Sequence, residues 1–174
     1  ANNTSKTYGQ TLTFAGTEFA TSGLLNSDSV TSVTLTSTGA AATATVAGSP
    51  YAITPSVAVG NGLSNYTIGY SNGTLTVNKA TLTVTANNQS MTYGGTLPTL
   101  TETVTGYVNG ETSSVIGGTP TATTSASSTT NAGTAIINSS VSGLTATNYN
   151  FVTGSNAVLT INKATLTITA NNTS

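Results

Sequence analysis

The chain has 174 residues, with three basic and four acidic side chains, a formal net charge of −1 and neither cysteine nor histidine. Because so few cations give no positive field to neutralise phosphates or to settle on an anionic membrane, we expect no nucleic-acid partner and no membrane insertion. Threonine supplies 41 residues, and its β-branched side chain favours a pleated surface over a helix. The composition therefore predicts an all-β protein.

The first predicted module covers residues 1–79. Its apolar residues alternate with Thr, Ser or Asn, a period of two that is typical of half-buried strands. The alternating pairs are Leu12 and Phe14, Val33 and Leu35, Val57 and Val59, and Tyr66 and Ile68. Gly-rich and Asn-rich breaks, such as residues 60–62 and 71–73, supply turns. We therefore expect six or seven short strands in each module.

At most one short helical turn is predicted in each module, after Asn26 and after Asn109. Asp28 and Glu111 follow at the start of each turn, where an acid suits the helix dipole. The strand pattern is that of a small β-sandwich. A real helix packed on one sheet would make the module β-grasp-like instead, and both architectures stay open at this point.

The second predicted module covers residues 80–163 and repeats the first. Residues 79–90 return as residues 163–174 at an offset of 84, with two substitutions. The same offset, within a residue, pairs Thr7-Tyr8-Gly9 with Thr92-Tyr93-Gly94, Gly23 with Gly106, Asp28 with Glu111, and Asn65-Tyr66 with Asn148-Tyr149. No proline or glycine linker interrupts residues 74–85, so we expect two modules arranged end to end with little hinge freedom.

Residues 164–174 repeat the opening of the second module and are predicted to be the leftover first strand of a following repeat. No counterpart of residues 80–85 precedes Ala1, so the first module is predicted to lack its first strand. We hypothesise that residues 164–169 fill this vacancy in another molecule by strand addition, which would give head-to-tail strand exchange in crystals.

Several motifs recur in order in both halves. They are Lys79-Ala-Thr-Leu-Thr-Val-Thr-Ala-Asn-Asn-Gln-Ser-Met-Thr-Tyr-Gly94, Gly106-Tyr-Val-Asn-Gly-Glu111, and Asn65-Tyr66 leading to Gly73-Thr-Leu-Thr-Val-Asn-Lys79. Over essentially the whole chain they resemble the MBG domain of the Tyr-Gly type. Such domains occur in tandem arrays in very large secreted bacterial proteins that look like filamentous haemagglutinins and biofilm adhesins. The resemblance implies an extracellular location at the bacterial cell surface and a stalk-like role, and it supplies no catalytic residues.

The residue types give little support for catalysis, so we predict that the chain is not an enzyme and has no catalytic, cofactor-binding or metal-binding residues. Activating a hydroxyl nucleophile would need a base, and only three lysines could serve. The four acids divide evenly between the modules, which is thin for paired carboxylate chemistry or for calcium. Lys79 and Lys163 are the candidates for an intramolecular Lys–Asn isopeptide bond, set against a simpler role as solvated lysines at a sheet edge.

These features favour a structural function in cell adhesion. The predicted role is a stalk or spacer repeat of an extracellular bacterial adhesin, which packs on neighbouring repeats and projects a distal binding tip from the cell surface. The alternative is that the modules themselves bind a glycan, a host or bacterial surface, or a like module on a neighbouring cell. Exposed aromatic residues would mark such a site, and Tyr70 and Tyr107 are the candidates because neither has an equivalent in the other module.

Overall fold

The computed structural model describes residues 1–171, and within that range it contains strands, three isolated 3-10 turns and no α-helix. The strands are β1 (Thr4–Thr7), β2 (Ser29–Thr36), β3 (Tyr51–Asn61), β4 (Gly73–Asn78), β5 (Ala80–Ala86), β6 (Gln89–Thr92), β7 (Glu102–Thr105), β8 (Thr121–Thr123), β9 (Gly133–Ser140), β10 (Tyr149–Thr153) and β11 (Ala157–Asn162). The 3-10 turns are Thr38–Ala40, Leu63–Asn65 and Ser113–Val115. None of the helical turns in this range has the length and apolar character of a membrane span. The predicted all-β fold class is confirmed.

Two four-stranded sheets share one topology. Their strand orders are β1-β4-β3-β2 and β6-β11-β9-β8. In each sheet the second strand in this order pairs in parallel with the first and antiparallel with the third. The parallel registers also agree, because Lys6 lies opposite Val77 where Met91 lies opposite Ile161. The repeat in the sequence is therefore a repeat in the structure.

The inner strands β4 and β11 explain why this sequence forms sheets. Their apolar side chains are buried and the residues between them are exposed. Leu75 and Leu159 have no exposed surface. Because successive side chains of a strand point to opposite faces, each strand buries one apolar row and presents threonine to solvent. Burying one such leucine stabilises the fold by roughly 1.5–3 kcal/mol.

A third sheet, of three strands, has β5 in its middle between β10 and β7. Strands β5 and β7 are antiparallel, with Val84 opposite Val104. The apolar residues of β5 are buried, and Ala86 packs in the same hydrophobic cluster as Ile137 and Leu159 of the four-stranded sheet. The second repeat is therefore sandwich-like, with one sheet covering the other.

The chain divides into two compact units. The first unit consists of Ala1–Thr81, Tyr107–Val115 and Thr145–Asn150, and the second of Leu82–Gly106, Ile116–Leu144 and the described residues from Phe151 onward. Each unit has its own hydrophobic cluster, around Ile53 and Leu75 in the first and around Ile137 and Leu159 in the second. The first compact unit thus includes two segments of the second sequence repeat.

The first repeat forms four strands, so the prediction of six or seven is wrong there, whereas the second repeat forms seven. Residues 11–15 and 66–68 were expected to be strands and have no strand structure. The difference centres on β5, whose neighbours β7 and β10 correspond to residues 19–22 and 66–70. Of the equivalent of β5, the described residues contain only Ala1 at its end, so the backbone groups of these two segments form no ladder.

The helical turn predicted after Asn26 is also wrong, because Ser29–Thr36 is strand β2. Asn26 and Ser27 have φ angles of 51° and 65°, which reverse the chain directly ahead of that strand. The alternating burial of Val33 and Leu35 then favours an extended chain over a helix. The corresponding region of the second repeat has only the 3-10 turn Ser113–Val115.

Candidate functional site

The acids predicted to begin helical turns instead end tight turns. We name these acid turns, and they are residues 25–28 and residues 108–111. In each, the N–H of the last residue donates to the carbonyl of the first, over 2.9 Å to Leu25 and 3.0 Å to Val108. The middle residues have φ angles of 51° and 65° in the first turn and 55° and 72° in the second. Two consecutive positive values are typical of a type I′ turn, so each turn presents a carboxylate at its fourth position.

One tyrosine holds each acid turn at both ends. The Tyr66 hydroxyl donates to Asp28 Oδ2 over 2.8 Å and accepts from the N–H of the first turn residue over 2.9 Å. In the second repeat, the Tyr149 hydroxyl donates to Glu111 and accepts from the N–H of the first turn residue over 3.1 Å. A phenol can donate and accept at once. The same hydrogen-bonding unit is therefore built twice.

Tyr8 adds a residue of the first sequence repeat to the acid turn of the second. Its hydroxyl donates to Glu111 Oε1 over 2.8 Å, while Tyr149 donates to the other carboxylate oxygen. The rings of Tyr8 and Tyr149 meet edge to face, with centroids 5.6 Å apart, and Tyr107 makes a second edge contact with Tyr149 at 6.4 Å. We name these four residues the tyrosine–glutamate cluster. Charge-assisted bonds from two phenols to one carboxylate connect both repeats within the first compact unit.

Burial raises the pKa of each tyrosine in this cluster. It raises the pKa of Tyr149 to about 12, and the hydrogen bond to Glu111 acts in the same direction. Burial likewise raises the pKa of Tyr8, with the neighbouring Glu111 adding to the rise, and burial raises the pKa of Tyr107. Phenols are protonated at neutral pH in any case and can act as donors, and because desolvation disfavours a phenolate these three keep their protons further into alkaline solution.

The glycine after Tyr8 lies against the second acid turn. Gly9 has a φ of 89°, and a Cβ placed on it would lie 2.5 Å from Val108 Cγ2. Gly94, the equivalent glycine of the second repeat, has a φ of 82°, and no described atom lies within 4 Å of its Cβ position. Both glycines adopt a left-handed conformation, but only Gly9 also permits a close approach of another segment.

Lys6 is a buried cation that the sequence analysis missed. Its side chain is 6% exposed, and Nζ donates to the carbonyls of Gln10, over 2.7 Å, and Ala41. Burial lowers the pKa of its ammonium group. The signal available in the sequence was the repeat itself, because Lys6 takes the position of the buried Met91.

A second candidate site is a groove on the first compact unit. We name it the open groove; it encloses about 260 Å³. Phe19 and Leu24 line one side and Ile68 and Tyr70 the other, above the apolar residues Val33 and Pro55 of β2 and β3. Its two sides are thus the segments that correspond to β7 and β10. At the equivalent place in the second repeat, strand β5 lies between β7 and β10.

The two predicted partner-binding aromatics differ in their surroundings. Tyr70 is 45% exposed, lines the open groove and accepts a hydrogen bond from the N–H of Ala58 over 2.8 Å. Tyr107 is half-buried and packs on Tyr149. A role in partner binding stays a prediction for both residues.

The lysines predicted as isopeptide candidates are both exposed. Lys79 Nζ donates to the carbonyl of Ala146 over 2.9 Å. Lys163 stands at the start of the segment 164–174, of which residues 164–171 are exposed without strand structure and residues 172–174 lie outside the described residues. Whether either lysine forms a covalent bond remains a question for intact-mass measurement.

The arrangement favours binding between protein segments over chemistry on a substrate. The hydroxyls of Tyr8 and Tyr149 each donate a hydrogen bond to the Glu111 carboxylate, and these bonds join separate segments of the chain. Among residues 1–171, no group of three or more His, Cys, Asp or Glu side chains is placed to hold a metal ion. The absence of enzymatic activity stays a prediction.

The duplicated sheet topology and the repeated acid turns define a tandem-repeat protein built from all-β modules. The chain belongs to the MBG domain family of the YGX type, which matches it twice, over residues 1–76 and 82–160. The predicted family is therefore confirmed, and both Tyr-Gly pairs lie inside the matched ranges. This family is a repeat domain of bacterial surface proteins. Searches of curated proteins and of solved structures found no match.

Proposed function

We propose that this chain is a stalk or spacer segment of an extracellular bacterial adhesin, in which repeats in series hold a distal binding tip away from the cell surface. Membership of a family found in bacterial surface proteins supports the location. The observation that carries the spacer role is the tyrosine–glutamate cluster. In it, Tyr8 of the first repeat binds Glu111 and packs on Tyr149, both of the second repeat. A repeat that binds part of its successor resists bending at the junction.

The connection between the repeats supports the same role. Strand β4 ends at Asn78 and β5 begins at Ala80, so a single residue, Lys79, lies between them. The side chain of Lys79 donates to Ala146, and the N–H of Ala80 donates to the carbonyl of Asn148 over 2.9 Å. A one-residue connection, with hydrogen bonds from the Lys79 side chain and from the backbone of Ala80, leaves no flexible linker.

The surface chemistry suits a spacer. Charged residues make up 4% of the chain, and the exposed faces of strands such as β4 carry threonine and asparagine. Hydroxyl and amide groups attract other macromolecules weakly over distance, and their contacts change little with ionic strength. A stalk of this kind keeps its own surface from competing with the binding tip.

Small-angle X-ray scattering of the 174-residue chain tests the spacer role. A single compact globule of this length has a radius of gyration of about 16 Å. The proposal predicts a clearly larger value that stays constant between low and high salt. A radius near that of a compact globule would contradict a spacer.

A second function has one observation in its favour: Tyr70 is exposed beside the open groove, with Ile68 40% exposed next to it. Exposed aromatic and aliphatic side chains in a groove suit a glycan or protein ligand. A glycan array with the wild-type chain and with Tyr70→Ala separates the two functions. Binding that is lost in the variant would favour the ligand-binding role, and an array without signal would favour the spacer.

A further inference from the structure

The open groove occupies the place that a strand fills in the second repeat. There, β5 lies between β7 and β10, with Leu82 and Val84 fully buried. The corresponding flanking segments of the first repeat are residues 19–22 and 66–70, and these line the open groove. The first repeat therefore has both neighbours of a middle strand, and of that strand the described residues contain only Ala1, the equivalent of the last residue of β5.

A segment that matches β5 lies elsewhere in the same chain. Residues 164–170 read Ala-Thr-Leu-Thr-Ile-Thr-Ala, and β5 reads Ala-Thr-Leu-Thr-Val-Thr-Ala. Leu166 and Ile168 correspond to the buried Leu82 and Val84, yet they are 84% and 87% exposed. Two large aliphatic side chains therefore stay in water, although burial of their equivalents stabilises the second repeat. The alternation that buries one face of β5 is thus kept in a segment that has nothing to pack on.

We propose that residues 164–169 of one copy insert into the open groove of a second copy as its middle strand, ending where Ala1 of the receiving copy takes the place of Ala86. The inference does not depend on the stalk role. The register follows from β5 and β7, where Thr83 lies opposite Thr105 and Val84 opposite Val104. The N–H of Asn2 donates to the carbonyl of Glu18 where the N–H of Asn87 donates to that of Thr101, so β7 corresponds to residues 19–22. Thr167 then lies opposite Ser22, and Ile168 lies opposite Thr21. Main-chain hydrogen bonds supply affinity in such strand addition, and alternate side chains supply specificity.

Tyr93 provides a second, independent indication of the same association. It is the equivalent of Tyr8 but is 45% exposed, whereas Tyr8 is 5% exposed and bound to Glu111. The equivalent of Glu111 in the first repeat is Asp28, whose turn is already held by Tyr66. In the association we propose, Tyr93 of the copy that donates the strand reaches Asp28 of the copy that receives it. The contact would repeat the tyrosine–glutamate cluster between molecules.

Sedimentation velocity over a range of protein concentrations is the first test. We expect reversible, concentration-dependent association of the wild-type chain. Leu166→Asp places a charge where Leu82 is buried and should weaken the association at least about tenfold. Thr165→Asp is the matched control, because it adds the same charge at the equivalent of the exposed Thr81. Both positions lie in the exposed segment, so neither change endangers the fold.

Tyr93→Phe tests the second contact. Losing a hydrogen bond to a carboxylate should weaken the association about tenfold or more. The stability of the isolated molecule should stay unchanged, because this side chain is exposed.

A disulfide reports the register directly, because the chain has no cysteine of its own. The pair Thr167→Cys with Ser22→Cys should give a disulfide between two copies under mild oxidation, since directly opposed residues have Cβ atoms about 4.5–5.5 Å apart. The pair Thr167→Cys with Thr21→Cys is the control, because neighbouring positions of a strand point to opposite faces. The covalent dimer should appear only with the first pair and should disappear on reduction.

Three results would overturn the proposal. The first is a wild-type chain that stays monomeric at all concentrations. The second is an association that Leu166→Asp leaves unchanged. The third is a disulfide that forms within one molecule, which mass spectrometry under denaturing conditions distinguishes from a covalent dimer.

Discussion

Tyr8 and Glu111 belong to different sequence repeats, and a hydrogen bond of 2.8 Å joins the hydroxyl of one to the carboxylate of the other. The same carboxylate accepts from Tyr149, whose own repeat equivalent, Tyr66, donates to Asp28. Each repeat therefore holds its own acid turn, and the second acid turn is in addition bound by the repeat that precedes it. This difference makes the repeats useful controls for one another.

Removing the hydroxyl of Tyr8 should weaken the first compact unit, whereas the same change in the second repeat should not weaken the fold. We expect Tyr8→Phe to lower the free energy of unfolding by about 1.5–3 kcal/mol, as for other hydrogen bonds to charged groups. Tyr93→Phe, at an exposed position, should stay within about 0.5 kcal/mol of the wild type. Urea unfolding followed by tyrosine fluorescence measures both. A double-mutant cycle with Glu111→Gln should show coupling for Tyr8 and none for Tyr93, and equal losses for the two variants would contradict the cluster.

Gly9 and Gly94 separate backbone strain from contact. An alanine at either position adopts a left-handed conformation that costs about 1–2 kcal/mol. At Gly9 the new Cβ would also meet Val108, and overpacking of this kind costs about 1–3 kcal/mol more. We therefore expect Gly9→Ala to destabilise the protein more than Gly94→Ala in urea unfolding. Equal losses of unfolding free energy in the two variants would show that the contact between residue 9 and Val108 makes no contribution.

The acid turns allow a reciprocal exchange. Ser27 has a φ of 65° at the position where the second turn has Gly110 with a φ of 72°. Because a left-handed conformation is strained for serine and not for glycine, Ser27→Gly should stabilise the fold and Gly110→Ser should destabilise it, each by about 1 kcal/mol. No described atom lies within 4 Å of the Cβ position of Gly110, so no clash contributes. Thermal unfolding of the two variants measures the shifts, and shifts of the same sign would be inconsistent with equivalent turns.

Stability should fall in alkaline solution through Tyr149. Its pKa is raised to about 12 in the folded protein from an ordinary value of 10.0. The folded state thus holds a proton that the unfolded state releases between these values, so the contribution is complete below pH 10 and is lost as the pH rises towards 12. Tyr149→Phe should flatten the decline in unfolding free energy over this range. The raised pKa values of Tyr8 and Tyr107 act with the same sign and the lowered pKa of Lys6 with the opposite sign, but all three residues are present in both proteins, so the difference between the proteins reports the loss of the Tyr149 hydroxyl. An equally steep decline in the variant would contradict the assignment.

Local patterning predicted the strands that have partners on both sides or pack on a core. The alternation of Val33 and Leu35 predicted both strand β2 and its buried face. The same alternation failed at residues 66–68, because a strand also needs a neighbour and none is present there in the described residues. Periodicity describes which face a segment would bury, and it does not say whether a partner exists.

The sites were harder to predict than the strands. The pairing of Asp28 with Glu111 was visible as a repeat, but both were assigned to helix starts, because an acid after asparagine suits a helix and a tight turn equally well. The contact of Tyr8 with Glu111 joins residues 103 positions apart, and nothing in the sequence specifies such a distant neighbour. Lys6 could have been found by alignment with Met91. A lysine in one repeat where the other has an apolar residue indicates that the two repeats differ in how they fill this position.

The central claim is that the junction between the repeats is stiff, and the width of a distance distribution tests it most directly. Spin labels on Thr34→Cys and Thr145→Cys, two exposed positions of the first compact unit that belong to different repeats of a cysteine-free chain, would report this distance by pulsed electron paramagnetic resonance. We predict one narrow distribution that broadens when Tyr8→Phe and Glu111→Gln are introduced together. A distribution that is already broad in the otherwise wild-type chain, and unchanged by those substitutions, would contradict the account.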